Sequence, residues 1–151
     1  MTTDTLTKET RTLKVTKVKS GSPFEEQESY SRIVALDNWI FVSNSAGRNY
    51  KTREMSTDPV EQARQCFHNI EGALASVGAS LADVVRSRVF IPNPADAPSV
   101  MAYVGEKFRG IDPASTVTCS PLGSPDFKVE IELTAYRGAG AATAEYISVS
   151  L

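Results

Sequence analysis

The stretch Phe127-Lys128-Val129-Glu130-Ile131-Glu132-Leu133-Thr134-Ala135-Tyr136 decides the fold, because apolar and polar residues alternate strictly along it. Successive side chains of a β-strand point to opposite faces of its sheet. The apolar set therefore belongs to a buried face and the polar set to the opposite face. We predict a strand at Phe127–Tyr136 that packs under other elements on one side only.

A second stretch, Val84–Ile91, carries Arg86 and Arg88 on one side, and we expect these to share a sheet surface with Glu130 and Glu132. Two interpretations stay open. The charges are either ion pairs on a surface, which is the more common case, or part of an oligomer core or ligand pocket. A sheet with helices on one face and a mixed polar and apolar second face often buries that second face by self-association.

The clearest helix begins after Asp58, which suits the N-cap, with Pro59 at the first helical position and Glu61 where a capping box needs it. An apolar stripe of helical spacing follows, and Gly78 ends the helix. A second helix is predicted from Ala97 to Phe108. The stripe of the first helix consists of Val60, Ala63, Phe67, Ile70, Leu74 and Val77.

The remaining strands are predicted by alternation and by the loops that separate them. The dipeptide Asp37-Asn38 reads as a two-residue hairpin connection. The order is βββαβαββ, an α+β fold with about six strands and two helices. Strands separated by a helix should be parallel, with both helices on one face. These strands are Thr12–Lys19, Ser29–Leu36, Trp39–Ser43 and Thr116–Cys119, with loops at 20–23 and 45–57.

Composition limits the class of protein. The chain has 151 residues and a net charge of −2, from 16 basic and 18 acidic residues, which gives no reason to expect nucleic acid as a partner. No apolar run reaches membrane-spanning length, and the polar lead 1–11 has no signal-peptide core. We divide the chain into a flexible lead 1–11, a domain 12–137 and a tail 138–151 that either docks on a neighbour or stays loose. Cysteine usage favours a reducing cytoplasm.

The sequence offers little catalytic chemistry by itself. His68 is the single histidine, and Cys66 and His68 do not share a helical face, so we predict no metal site and no Ser-His-Asp set. No glycine-rich nucleotide loop is present. Cys119 is either a nucleophile or, as is usual for a lone strand cysteine, a small packing residue.

Several motifs in matching order resemble the Rid/YjgF family. Asp112-Pro113-Ala114-Ser115-Thr116 followed by Phe127–Glu132 is similar to the family signature, which reads Pro-Ala-Arg-Ser and then a strand with Lys-Ile-Glu-Ile-Glu. Tyr30 lies thirteen residues before Ser43, where the family has a pocket tyrosine before a Thr-Ser-Gly turn. The segments 60–65 and 79–85 resemble its first helix and its helix-to-strand turn. The resemblance covers about residues 20–137.

The resemblance implies a chorismate-mutase-like homotrimer with small-molecule clefts between subunits. It also implies hydrolysis of reactive enamines and imines, such as 2-aminoacrylate and 2-iminopropanoate, to 2-oxo acids and ammonia, with no metal or organic cofactor. In the family, an arginine binds the substrate carboxylate and a glutamate positions water. Glu130 matches the glutamate, and we expect it to be catalytic.

The chain departs from the family at the pocket. Ser115 replaces the family's substrate-binding arginine, and Asn44 replaces the turn glycine. Arg32 replaces a family glutamine, and Met101 replaces an asparagine of the second helix. This implies an arginine-lacking subgroup whose substrate differs from 2-iminopropanoate, with Arg88 or Arg32 supplying the anion contact. The alternative is a non-hydrolytic small-molecule-binding or pathway-accessory protein. The expected substrate-binding residues are Ser115, Thr116, Tyr30, Asn44, Arg88 and Arg32.

Overall fold

Six strands form one mixed sheet in the computed structural model, which describes residues 11–151. Three helices accompany the strands, and three single 3₁₀ turns lie at 81–83, 94–96 and 139–141. The predicted α+β order is confirmed, with one short helix added between the first two strands. The elements are β1 Val15–Val18, α1 Pro23–Gln27, β2 Ile33–Leu36, β3 Trp39–Ala46, α2 Pro59–Ala75, β4 Val84–Phe90, α3 Ala97–Lys107, β5 Ala114–Thr118 and β6 Glu130–Tyr136.

The strand that decides the fold lies inside the sheet. The spatial order is β1-β2-β3-β6-β4-β5, so β6 pairs with β3 on one side and β4 on the other, antiparallel to both. Since β3 and β4 both oppose β6, they run in the same direction, and β4 pairs with β5 in parallel. Strands separated by a long helix are therefore parallel, as predicted.

The core lies between the sheet and the two long helices. Ile131, Leu133 and Ala135 of β6 are at most 1% exposed, which confirms the alternation. From α2, Phe67 sets its ring edge-on against Tyr103 and Phe108, with centroids 5.9 and 5.4 Å away. Burying each large apolar side chain contributes about 1.5–3 kcal/mol to the stability of the fold, so these contacts hold both long helices against one face of the sheet.

The start of α2 confirms the predicted N-cap but not the second half of the predicted capping box, because the Asp58 N–H donates to Ser56 Oγ at 3.0 Å and not to Glu61. The Asp58 carboxylate accepts a 2.9 Å hydrogen bond from the Glu61 backbone N–H, and Pro59 occupies the first turn. An N-cap of this kind stabilises a helix by about 1 kcal/mol. The helix ends at Ala75, and Gly78 adopts a φ of +72°, a conformation that favours glycine.

Several strand limits differ from the predicted ones, each for a local reason. β2 begins at Ile33 because Ser29 has a φ of +59°, outside the extended region. β6 begins at Glu130 because the Lys128 N–H donates to the Gln62 side chain, at 2.8 Å, instead of to a neighbouring strand. Pro23 of the predicted loop 20–23 belongs to α1, and Ser45 and Ala46 of the predicted loop 45–57 belong to β3.

The chain ends were predicted to lie outside the domain. Residues 1–10 of the predicted lead fall outside the described residues. At the other end, the Gly140 N–H donates to Asp83 at 2.8 Å, and the exposed residues 142–151 form no strand, although Tyr146–Leu151 alternates between apolar and polar residues as a strand does. Within residues 11–151, no helix is both long and apolar enough to cross a bilayer.

Candidate functional site

The sheet face opposite the long helices carries the predicted charges. Arg88 and Glu132 occupy paired positions of β4 and β6, and their side chains form a 3.8 Å ion pair that is half exposed. An exposed pair of this kind contributes little to stability. The predicted ion pairing is confirmed for these two residues, whereas Glu130 has a different partner.

A bulge in β3 provides that partner. The β3–β6 register shifts between Val42 and Ser45, which is where Asn44 lies. Bulges redirect side chains next to functional sites. Here the Asn44 Nδ2 donates a 2.6 Å hydrogen bond to Oε2 of Glu130, while the buried Asn44 Oδ1 has no partner among the described residues.

Glu130 occupies a partly desolvated position. Burial raises the pKa of its carboxyl above the ordinary glutamate value, and the positive charge of Arg32 opposes that rise only in part. Because burial disfavours the charged form, Glu130 keeps its proton to a higher pH than an exposed glutamate does. A carboxyl of this kind in a cleft is suited to giving and accepting protons.

Arg32 forms a buried ion pair with Glu25 of α1, and both side chains are at most 4% exposed. Nε and Nη2 of Arg32 each lie 3.3 Å from Oε2 of Glu25. Its Nη1 donates to the Asn44 carbonyl at 2.8 Å and to Ser45 Oγ at 3.2 Å. Arg32 therefore fixes the bulge that carries Asn44. Sequence reasoning missed Glu25 because it lies in a five-residue helix that shows no periodicity.

Two tyrosines flank this arginine. The Arg32 guanidinium lies 5.6 Å from the ring centroids of both Tyr30 and Tyr50, and its Nη2 donates to the Tyr30 hydroxyl at 3.4 Å. Burial raises the pKa of Tyr50, with Arg32 opposing the rise. Desolvated contacts between a cation and an aromatic face contribute up to about 2 kcal/mol.

These residues line a cavity of about 610 Å³, a size typical of small-molecule sites. The cavity brings together four predicted site residues: Tyr30, Arg32, Asn44 and Glu130. It also includes residues that the sequence did not single out, above all two further arginines. The additional lining residues are Ser22, Phe24, Glu28, Ser43, Ala46, Arg48, Tyr50, Arg53, Gly123, Ser124 and Phe127.

The other predicted site residues lie elsewhere in the single chain. Ser115 and Thr116 are exposed on the edge strand β5, paired with Ser87 and Arg88 of β4, and none of these lines the cavity. Their place in a pocket stays a prediction that requires a second chain. The expected packing role of Cys119 is wrong for the single chain, because the helices leave the end of β5 uncovered and the thiol is exposed.

The remaining candidates for chemistry lie on α2. His68 is exposed, and no cluster of three His, Cys, Asp or Glu side chains suited to a metal occurs within residues 11–151. Cys66 is buried, and its Sγ lies 3.2 Å from the Ser45 carbonyl oxygen. Burial, together with the charge of Glu130, raises the pKa of the Cys66 thiol, so this residue is a poor nucleophile.

The family model described as endoribonuclease L-PSP matches residues 21–137. The chain therefore belongs to the endoribonuclease L-PSP family, which is the YjgF or Rid family that its motifs resemble.

The relatives are similar over most of their length. The chain is 36% identical over 105 residues to a 2-iminobutanoate/2-iminopropanoate deaminase of Dermatophagoides farinae, covering 68% of this chain and 81% of that one. A protein of the same name from Escherichia coli K12 is 31% identical over 72% of this chain and 87% of its own. The crystal structure of a YjgF/YER057c/UK114 family member from Mycobacterium tuberculosis has 33% identity and a TM-score of 0.74, covering 82% of this chain and 99% of that one.

Proposed function

We propose that this protein hydrolyses a reactive enamine or imine metabolite to a carbonyl compound and ammonia, in the cytoplasm and without a cofactor. One observation carries the proposal: Glu130, with a raised pKa, lies in a small-molecule cavity and is held there by the Asn44 amide. The relatives named 2-iminobutanoate/2-iminopropanoate deaminase support the reaction class.

The reaction requires proton transfer and a held water molecule. An enamine first takes a proton on carbon and loses one from nitrogen, which gives the imine. Water then adds to the imine carbon to give a carbinolamine, the C–N bond breaks, and ammonia leaves as the C=O bond forms. Ionised Glu130 accepts a proton from the attacking water and gives it to the imine nitrogen, and then carries the hydroxyl proton of the carbinolamine to the same nitrogen as the C–N bond breaks. Water and imine thus become ammonia and carbonyl compound, and no net proton or electron is consumed. Because Ser115 occupies the position of the family arginine, any contact to a substrate carboxylate must come from another residue, and we expect the preferred substrate to differ from 2-iminopropanoate.

The proposed assembly is a homotrimer that forms through the sheet face opposite the long helices. This face exposes large apolar side chains, with Trp39 47%, Phe41 44% and Val15 51% exposed. A contiguous apolar surface of this kind is typical of protein interfaces. In such a trimer, the β5 positions Ser115 and Thr116 of a neighbouring chain reach the cavity and complete an inter-subunit cleft.

The test measures ammonia release above the spontaneous rate, because simple imines also hydrolyse in water. A panel of 2-imino acids and larger imines is generated in place by an amino-acid oxidase, and the wild-type chain is compared with Glu130→Gln. The substitution removes the proton carrier but keeps the shape and the hydrogen bond from Asn44. We expect its turnover to fall about 100-fold or more.

Glu71→Gln is the matched control. Glu71 lies on α2 outside the cavity, in a 3.2 Å ion pair with Lys107, so the same chemical change there should leave turnover unchanged. Equal turnover by Glu130→Gln and the wild type would remove Glu130 from the mechanism.

A second function is favoured by Ser115, which cannot supply the bidentate guanidinium that binds a carboxylate. The chain would then be a non-hydrolytic binder of small molecules or a pathway-accessory protein. In that case a ligand raises the melting temperature of the protein and no ammonia is formed. Ammonia release that depends on Glu130 would rule this function out.

A further inference from the structure

Two arginines that line the cavity beside Glu130 form no ion pair within residues 11–151. Arg32, Arg48 and Arg53 line this cavity, as do Glu28 and Glu130. Arg32 is neutralised by Glu25, which does not line the cavity, so its charge and donors are committed.

Arg48 and Arg53 remain available to a ligand. Within residues 11–151, neither forms an ion pair with any carboxylate, Glu28 and Glu130 included. Arg88, the other residue considered for anion binding, is paired with Glu132 and lies outside the cavity. A guanidinium that lines a cavity without an ion-pair partner favours an anionic ligand, since it offers a planar fork that fits a carboxylate.

The loop that carries both arginines is internally ordered. The Arg48 Nη1 donates to the Arg53 carbonyl at 2.7 Å, and Arg48 forms an isolated antiparallel bridge with Met55. Backbone bonds of 2.9 Å join Asn49 to Glu54 and Arg53 to Asn49. Arg53 has a φ of +66°, which is uncommon for a residue with a side chain and points to a defined local conformation.

Both ends of the loop are also anchored to α2. The Asn69 side chain donates to the Arg48 carbonyl at 2.8 Å, and the Gln62 side chain donates to the Ser56 carbonyl at 2.7 Å. A Cβ at Gly47 would lie 2.5 Å from the Gln62 backbone oxygen, so only glycine allows the loop to begin so close to the helix. Anchoring of this kind keeps binding groups in place before the ligand arrives.

We propose that Arg53, with Arg48 beside it, binds the carboxylate of an anionic imine or enamine in this cavity, a role that the Ser115 position cannot fill. The inference rests on the proposed function and names the residues that would bind the substrate carboxylate. It assigns the anion contact to the same chain that carries Glu130. Arg53 is then a substrate-binding residue that determines specificity, and Glu130 acts on the C=N end of the same molecule.

The test is a calorimetric titration with 2-oxobutanoate, the stable carbonyl product of 2-iminobutanoate hydrolysis, so no turnover is required. Arg53→Gln should weaken binding about 10- to 100-fold, the range for a lost hydrogen bond to a charged group. Binding of 2-oxobutanamide, in which an amide replaces the carboxylate, should change by less than about 2-fold, because this ligand has no charge for Arg53 to contact.

Lys51→Gln is the matched control, since Lys51 lies in the same loop, carries the same charge and does not line this cavity. It should bind 2-oxobutanoate as the wild type does. The inference is overturned if the wild type does not bind 2-oxobutanoate, if Arg53→Gln binds it unchanged, or if either variant loses both ligands alike. A Glu130→Gln variant that still releases ammonia would refute the proposed function alone, because the titration does not depend on turnover.

Discussion

The side-chain amide of Asn44 donates a 2.6 Å hydrogen bond to Oε2 of Glu130 across the β3–β6 pair. The two residues are 86 positions apart in the chain and meet only because β6 lies beside the bulge of β3. A hydrogen bond donated to a carboxylate favours its ionised form, as does the positive charge of Arg32, whereas burial raises the pKa of Glu130. The balance between them sets the pH range in which Glu130 can exchange a proton with water.

Asn44→Ala should therefore shift the pH dependence of ammonia release. Loss of a donor to the carboxylate raises the pKa of Glu130 further, so the acidic limb of the pH–kcat profile should move to higher pH, and kcat at pH values on that limb should fall by up to about 10-fold. The profile is measured for the variant and for Asn93→Ala, an exposed asparagine outside the cavity. If the pH–kcat profile of Asn44→Ala coincides with those of the wild type and Asn93→Ala, Asn44 has no influence on the proton transfer.

The raised pKa of Glu130 also predicts a pH-dependent stability. The folded chain holds this proton more tightly than the unfolded chain, so the stability due to this group is greatest below the unfolded pKa and is lost as the pH rises through the higher folded pKa. Glu130→Gln cannot ionise and escapes that loss. Its melting temperature relative to the wild type should be higher at about pH 7.5 than at about pH 4, near the ordinary glutamate pKa. A relative melting temperature that stays constant or falls between these pH values would contradict the assignment.

The buried Glu25–Arg32 pair should be costly to break. Glu25→Gln leaves the Arg32 charge buried without a counter-ion, and such changes destabilise proteins by about 3–5 kcal/mol. Urea unfolding measures this cost. The control is Glu61→Gln, which removes the exposed pair with Arg64, both side chains being more than half exposed, and should cost less than about 1 kcal/mol. Equal effects of the two substitutions would show that the Glu25–Arg32 pair does not hold the bulge.

The proposed trimer predicts a mass of three times the 16.3 kDa chain in light scattering. Phe41→Asp places a carboxylate on the exposed apolar sheet face and should give monomers, since burying an unpaired charge in an interface is strongly unfavourable. Ala75→Asp, on the exposed side of α2, should leave the mass unchanged. A wild-type protein that stays monomeric would remove the inter-subunit cleft from the account.

The sequence predicted those parts of the fold that follow a period. The alternation along β6 and the stripe and cap of α2 each depend on local spacing, and the structure buries Ile131, Leu133, Phe67 and Leu74 accordingly. The burial of two polar residues of α2 could also have been predicted from the sequence. Gln62 and Asn69 are seven residues apart on the buried face of the helix, and both prove to anchor loops.

The parts that the sequence did not predict depend on contacts without a period. Glu25 lies in a helix of five residues, and only the fold places it against Arg32. Arg48 and Arg53 lie in a polar loop that carries no sequence pattern, so only the structure shows that they line the same cavity as Glu130. Ser115 and Thr116 could be placed in a pocket only by resemblance, because β5 is an exposed edge of the single chain.

The most direct test of the account is the rate of ammonia release from an imine substrate, corrected for spontaneous hydrolysis and compared between the wild type and Glu130→Gln. The account predicts a rate above background for the wild type and a rate near background for the variant. If the two proteins release ammonia at equal rates from any substrate whose hydrolysis the wild type accelerates, the central role of Glu130 is contradicted.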